Sequence, residues 1–171
     1  MPDTSPDAIR LVPLQISDLP RVQKLAQEIW PECYKGILDD AQIPQMVASL
    51  YALPVLQADI ERDGHRYWIA QTEERDLGFA SAFQDGDTVW IKKLYLRADT
   101  RGLGLGKRLI AFLSDAFPKA RRLNLYVNDG NAPAIGFYQS QGFEIIDTVA
   151  VQMGPYPFTD HILSRAKNAP Q

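Results

Sequence analysis

A chain of 171 residues, 46% hydrophobic and with a formal charge of −3, suffices for one compact core and leaves little room for a second domain. The acidic total and the lack of a dense basic stripe argue against nucleic acid. No stretch approaches the roughly 18 unbroken apolar residues of a membrane span, and "MPDTSPDAIR" is unlike a signal peptide, so a soluble, untargeted chain without a membrane partner is expected.

Cys33 stands alone, which rules out an internal disulfide and points to the reducing cytoplasm. Charge is unevenly spread. Residues 1–90 hold 15 acids against 7 Lys/Arg, and residues 91–171 hold 6 against 11. Such an imbalance fits a polyanionic ligand near the second half and a cationic one near the first, as well as it fits ordinary solvated faces.

In chain order, "AIRLVPL" (8–14) alternates as a first strand. Ser17 or Asp18 caps a helix whose Leu19, Val22, Leu25, Ala26 and Ile29 share a face and which Pro31 should end. "LDDAQIPQMVASLY" and "PVLQADIERDG" predict one or two further helices, divided near Pro54 and stopped at Gly64. "RYWIAQ", "LGFASAFQ" and "TVWIKKLYL" predict three strands, the last two joined by the turn signal "DGD". "GKRLIAFLSDAF" places Leu109, Ile110, Phe112 and Leu113 on one helical face before Pro118. "RRLNLYV" predicts a strand, and "NAPAIGFYQSQGF" a short helix with Asn131 as cap, Pro133 in its first turn and Gly142 as its terminator. "FEIIDTVAVQM" and "TDHILSRA" follow as strands linked by the turn-rich "GPYPF", and a tail after Arg165 is expected to fray.

The informative stretch is "LYLRADTRGLGLGKRLIAFL" (94–113): a strand, a loop with three alternating glycines, then a helix. Glycines in that position let backbone amides approach phosphate. The dinucleotide spacing G-x-G-x-x-G fails, because Lys107 occupies the third glycine's place. The Walker spacing fails too, since Arg108 follows Gly106-Lys107 and Arg101 stands five residues before Gly106.

Read as R-x-x-G-x-G from Arg101 to Gly106, the loop resembles the acetyl-coenzyme A loop of the GNAT-type N-acetyltransferases. A second element, "LNLYVNDGNAPAIGFYQSQGFE", is similar to that family's next strand, loop and helix through its N-x-x-A-x-x-F-Y-x-x-x-G-F pattern. The resemblance covers about residues 88–146, and the first 65 match only in outline. It implies a single α/β (α+β) domain over 1–171 with a mixed, mainly antiparallel sheet of six or seven strands flanked by helices. The cofactor-binding core would lie at about 88–146 and the acceptor-binding helices at about 17–63.

The resemblance also implies roles. Gly102, Gly104 and Gly106 would present bare amides to the pyrophosphate, with Arg101 and Lys107 adding charge and Leu103 and Leu105 turning inward. The backbone of Leu94, Tyr95 and Leu96 would pair with pantetheine, the Leu94 N–H polarising the acetyl carbonyl. Asn131, Ala134, Phe137 and Tyr138 would line the cofactor, Tyr138 protonating the departing thiolate. Each has a plainer alternative: a tight turn without ligand, a helix cap at Asn131, or a core tyrosine at 138 beside a core Phe137.

Two consecutive lysines, Lys92 and Lys93, cannot both face solvent on a regular strand, which predicts a β-bulge that opens the sheet between the fourth and fifth strands. A strand with lysines at a wet edge is the alternative. Some family members carry a glutamate on this strand; its absence leaves a water relay or an acid such as Glu32 as base. Trp30, Tyr34 and Tyr51 form either an amine-binding wall or core. His65 and His161 are isolated, so no metal is expected.

The function implied is acetyl transfer from acetyl-coenzyme A to a small primary amine, the acid excess leaning toward a polyamine or another cationic acceptor. A peptide N-terminus, a protein lysine and larger acyl donors stay open, as does a homodimer. The rival from another class is a non-catalytic acyl-coenzyme A-binding regulatory module.

Overall fold

The computed structural model describes residues 8–168. Seven strands form one mixed sheet: β1 (Arg10–Pro13), β2 (Arg66–Gln71), β3 (Asp76–Asp85), β4 (Thr88–Leu96), β5 (Arg122–Asn128), β6 (Glu144–Met153) and β7 (Tyr156–Ala166), in the order β1-β2-β3-β4-β5-β7-β6. The β4–β5 pair is parallel, while β1–β2, β2–β3, β5–β7 and β6–β7 are antiparallel. Among the described residues five α-helices accompany them: α1 (Leu19–Cys33), α2 (Gln42–Leu50), α3 (Leu53–Glu61), α4 (Leu105–Ala116) and α5 (Ala132–Ser140). Among the described residues no helix is long and apolar enough to cross a membrane.

Contacts resolve the chain into two compact units, and β4 and α4 each contribute residues to both. The first comprises the residues up to Ala82 with Lys93–Ile110. In it α1 buries Leu19, Val22, Leu25, Ala26, Ile29 and Trp30, the stripe its 3.6-residue period predicts. Pro31 does not end this helix. In the last turn a proline removes only its own bond back to Gln27, so α1 runs on to Cys33, and the Tyr34 N–H closes it on Trp30 O at 3.0 Å. The break between α2 and α3 falls at Tyr51 and Ala52; Pro54 sits in the first turn of α3, where its missing N–H costs nothing. Phe79, Ile69, Met46 and Leu56 are fully buried in this unit. Arg108 Nη2 donates to Ile9 O at 2.6 Å, fastening α4 to the residue that precedes β1.

The second unit comprises Phe83–Lys92 and the described residues from Ala111 on. Leu113, Leu123 and Leu163 are fully buried in it, and Phe143 nearly so. Strand β7 begins at Tyr156, so most of the predicted "GPYPF" link is strand and only Gly154 and Pro155 turn. Nor does the chain fray after Arg165: Lys167 donates from its N–H to Arg121 O at 2.8 Å and from Nζ to Phe117 O at 2.9 Å. Residues 169–171 of the predicted tail lie outside the described residues. Strand β6 carries a bulge at Ile146, between Ile145↔Leu163 and Asp147↔Ile162, which blunts the otherwise straight edge of the sheet.

Candidate functional site

The glycine loop belongs to the first unit. Residues 98–100 form a short 3₁₀ turn, closed by Thr100, whose N–H and Oγ1 donate to Arg97 O at 3.0 and 2.6 Å. Gly102 and Gly104 then take φ of 84° and 69°, the left-handed region that only glycine enters freely. A Cβ at either would meet nothing within 4 Å, so backbone direction and not crowding demands them. The Arg108 N–H reaches Gly104 O at 3.1 Å, the first rung of α4. The N–H groups of Gly102, Gly104, Leu105, Gly106 and Lys107 have no hydrogen-bond partner among the described residues. Leu105 is 2% exposed and Leu103 half-buried, while Arg101 and Lys107 are exposed. The loop thus has an inward leucine face and an outward face of open amides flanked by two cations, which suits a pyrophosphate.

Ion pairs hold the stem of this loop: Arg97 with Glu28 of α1, and Arg75 with Asp99 at 2.8 Å. Arg97 also donates its N–H to Leu77 O at 2.9 Å. Just before it, β4 presses against β3 at Gly78. A Cβ there would run into Tyr95 O and lie 2.6 Å from Leu96 Cδ2 and 3.0 Å from Leu96 Cα. Gly78→Ala should therefore displace the Tyr95–Leu96 backbone and lower stability by about 2–3 kcal/mol, read as a lower denaturation midpoint; an unchanged midpoint would show that β4 yields freely.

The lysine pair on β4 does not behave as expected. Lys92 is exposed, but the Lys93 side chain is only 11% exposed and its Nζ lies 3.4 Å from Asp59 Oδ2. With one lysine out and one in, burial alternates through the pair, so facing alone does not call for a bulge, while the β4–β5 ladder does stop at Ile91, just before the pair, where the sheet was expected to open. Tyr67 Oη donates to the same Asp59 oxygen at 2.6 Å. His65 Nδ1 lies 3.7 Å from it. The Lys93 ammonium also lies 5.6 Å from the ring centres of both Tyr51 and Tyr67.

Burial alone would raise the Asp59 carboxyl; His65, Tyr67 and Lys93 outweigh it and hold Asp59 well below the usual carboxylate range. A carboxyl depressed in the folded state contributes stability that is present above its unfolded pKa and lost as pH falls through the folded value. Asp59→Asn should cost about 3 kcal/mol at neutral pH by removing the carboxylate that faces the partly buried Lys93 ammonium. The difference from the parent should narrow below about pH 4, as urea unfolding at pH 7 and pH 3.5 would reveal; a gap of constant size would contradict the assignment.

Trp30 and Tyr51, offered by the sequence as an amine-binding wall, are 3% and 2% exposed and belong to the core. Trp30 Nε1 donates to Tyr51 Oη at 3.2 Å, and the cation over Tyr51 is the chain's own Lys93. Tyr34 alone stays half-buried, its hydroxyl 2.8 Å from that of Tyr95. Glu32 is exposed at the end of α1. Burial pushes the half-buried Cys33 thiol up, against the opposing charge of Arg101.

In the second unit the β4–β5 ladder runs from Thr88↔Arg122 to Ile91↔Leu125 and ends there, one residue before Lys92, although β5 itself continues to Asn128. Asn131 is 7% exposed and caps α5, accepting from the Ala134 N–H at 3.3 Å, the plainer of its two expected roles. Phe137, expected in the core, is half-buried, because α5 buries no side chain completely. Tyr138 is half-buried as well, with its ring 5.3 Å from Phe137 and edge-on to Phe143 at 5.6 Å. The α5 terminus is anchored by the Phe143 N–H on Tyr138 O at 3.1 Å and by Arg165 Nη1 on Gln141 O at 2.9 Å. Of the predicted site residues, those from Leu94 to Lys107 lie in the first unit and Asn131, Ala134, Phe137 and Tyr138 in the second.

Sequence reasoning passed over Asp59 and Gly78. Asp59 looks like any solvated helix acid. Gly78 gave a faint signal, a glycine inside a strand pattern, which often marks close backbone approach.

A family model described as the acetyltransferase (GNAT) family matches residues 20–143. The peptidyl-lysine N-acetyltransferase YiaC of Escherichia coli (strain K12) is 31% identical over 80 residues, which are 47% of this chain and 51% of that one. The peptidyl-lysine N-acetyltransferase YjaB of Salmonella typhimurium is 32% identical over 98 residues, 56% of this chain and 63% of that one. The matched segments thus span only 51% and 63% of the lengths of these two curated relatives. The PaiA N-acetyltransferase of Thermoplasma acidophilum, solved with coenzyme A, superposes with a TM-score of 0.79 at 23% identity, covering 92% of this chain and 98% of that one, and so shares the fold.

Proposed function

Because the chain belongs to the GNAT acetyltransferase family, we propose that it transfers an acetyl group from acetyl-coenzyme A to a primary amine by direct attack in a ternary complex. The observation that carries this reading is the run of amides at Gly102 and from Gly104 to Lys107, without hydrogen-bond partners among the described residues, at the start of α4. These groups suit the pyrophosphate, with Arg101 and Lys107 beside it. The Leu94, Tyr95 and Leu96 backbone would hold the pantetheine arm, the Leu94 N–H would polarise the acetyl carbonyl, and Tyr138 would supply the proton that the departing sulfur needs. Asn131, Ala134 and Phe137 would complete the lining. A cytoplasmic location accords with the single cysteine.

For the acceptor we favour a primary ammonium on a flexible aliphatic stem. The acid excess of residues 1–90 supports a cation, and the names of the curated relatives support a lysine side chain over other carriers of that group. A polyamine presents the same chemistry from a different source. The test is thiol release from acetyl-coenzyme A with spermidine, glucosamine and a lysine-containing peptide with a blocked N-terminus. Release with the peptide or spermidine supports the reading and names the source. Saturable acetyl-coenzyme A binding with no release for any amine would replace it with a regulatory binding module, for which the lack of an acid on β4 speaks.

A further inference from the structure

In the proposed reaction the Leu94 N–H holds the acetyl carbonyl, and the residue bonded to that nitrogen is a lysine. Lys93 carries the acceptor chemistry favoured above, a primary ammonium on a flexible aliphatic stem. Both residues belong to the first unit.

Covalent geometry limits how far apart the two reacting groups can be. The Leu94 nitrogen lies about 2.4 Å from the Lys93 Cα, and an oxygen accepting from its N–H lies about 3 Å further on. The carbonyl carbon of an acetyl group held there is within about 7 Å of the Lys93 Cα. An extended lysine carries its nitrogen about 6 Å from Cα, so that carbon is inside the reach of the Lys93 side chain. Lys92 starts about 3.8 Å further back and is exposed to solvent.

The surroundings of Lys93 are those that bind a primary ammonium. Its Nζ lies 3.4 Å from Asp59 Oδ2 and 5.6 Å from the ring centres of Tyr51 and Tyr67, a carboxylate with two π faces. Tyr67 Oη donates to the same carboxylate oxygen at 2.6 Å, and His65 Nδ1 lies 3.7 Å from it. The Lys93 side chain is 11% exposed, which screens it from reagents in bulk solvent but not from a thioester held on the next residue of its own strand. Attack from so short a tether is a first-order step in place of a bimolecular encounter.

We propose, resting on the acetyl-transfer reading, that Lys93 is a self-acetylation site: without an external amine, the chain passes the acetyl group of its own bound acetyl-coenzyme A to Lys93 Nζ. The ammonium leaves Asp59 and gives one proton to solvent. The neutral nitrogen attacks the thioester carbonyl, the C–N bond forms and the C–S bond breaks. The sulfur departs with the electron pair of that bond and takes the Tyr138 proton, which the nitrogen restores from its own as it becomes an amide. The product is a neutral side chain at position 93, and Asp59 loses one of the three residues that hold its carboxyl low.

The full chain is incubated with acetyl-coenzyme A and no amine, and its peptides are followed by mass spectrometry, with fragmentation separating Lys92 from Lys93. Acetyl should accumulate on Lys93 at least about tenfold faster than on Lys92, with a half-time independent of protein concentration. An excess of coenzyme A should suppress the Lys93 signal in the parent, and Gly104→Asp should lose it while keeping any acetylation of exposed lysines. Acetic anhydride, which needs no binding site, should modify the exposed Lys92, Lys107 and Lys119 before Lys93. The proposal is overturned if Lys93 reacts with acetyl-coenzyme A no faster than Lys92, if coenzyme A fails to suppress it, if acetic anhydride favours Lys93 equally, or if the half-time shortens as protein concentration rises, which would mean transfer between chains. Calorimetry and the amine panel on the same sample separate the two readings. A parent without affinity for acetyl-coenzyme A removes the acetyl-transfer reading and this one together; a parent that binds it, releases thiol with an amine and leaves Lys93 bare removes this one alone.

Discussion

Turnover of a Tyr138→Phe variant is expected to fall by about 10²- to 10⁴-fold, or roughly 3–5 kcal/mol of barrier, with little change in melting temperature or in acetyl-coenzyme A affinity. The substitution keeps the ring, so the contact with Phe137 and the edge-on contact with the buried Phe143 survive. The backbone bond from the Phe143 N–H to Tyr138 O does not involve the side chain at all. What is lost is the phenol O–H, the proton source proposed for the departing thiolate. Pre-steady-state kinetics with the preferred amine would separate this step from product release. A turnover within about threefold of the parent would mean that the sulfur leaves unaided or is protonated by water. Tyr138 would then be a packing residue of α5, and the cofactor assignment, which rests on the glycine loop, would stand.

A Gly104→Asp variant should lose at least about 100-fold in acetyl-coenzyme A affinity, close to 3 kcal/mol. Two effects act at this position, and a second variant separates them. Gly104 has φ 69°, where any side chain carries roughly 1–2 kcal/mol of backbone strain. There is space for the new atoms, since nothing lies within 4 Å of a Cβ at this position. Gly104→Ala should therefore show the strain alone, as a modest loss of stability with some loss of affinity. Aspartate tolerates the left-handed region better than alanine, so Gly104→Asp should be no less stable than Gly104→Ala. Its further loss of affinity measures the negative charge set among the amides proposed to hold phosphate. Calorimetry on both variants decides the matter. Equal affinities would mean that the loop amides do not face an anion.

The parts of the fold legible in the sequence were those written in local patterns. The apolar stripe of α1, the Gly86 hairpin and the Gly142 terminator all depend on residues within a few positions of one another, and all were readable. Pro31 misled because a proline's effect depends on where in the helix it falls, and so close to the end of α1 it cannot break a turn that Cys33 and Tyr34 complete. Lys93 misled for a different reason. Its partner, Asp59, is 34 positions away, and no periodicity on β4 announces a carboxylate brought in by α3. The glycine loop was readable as a phosphate site because amide geometry follows from glycine spacing alone.

The position of β7 bears on how the second unit must be made. It is the last of the described strands to leave the ribosome, yet it lies between β5 and β6. Until it emerges, β5 lacks its antiparallel neighbour and β6 has no neighbour at all, so the register from Arg122↔Ala166 to Asn128↔Asp160 cannot be set during synthesis. A chain cut before Tyr156 would lose an interior strand, with its fully buried Leu163 and its buried Arg165, and leave two apolar strands with open edges. Premature termination in this region should give aggregation and degradation in place of a partly working protein, whereas a tag placed beyond residue 168 leaves every described pairing intact.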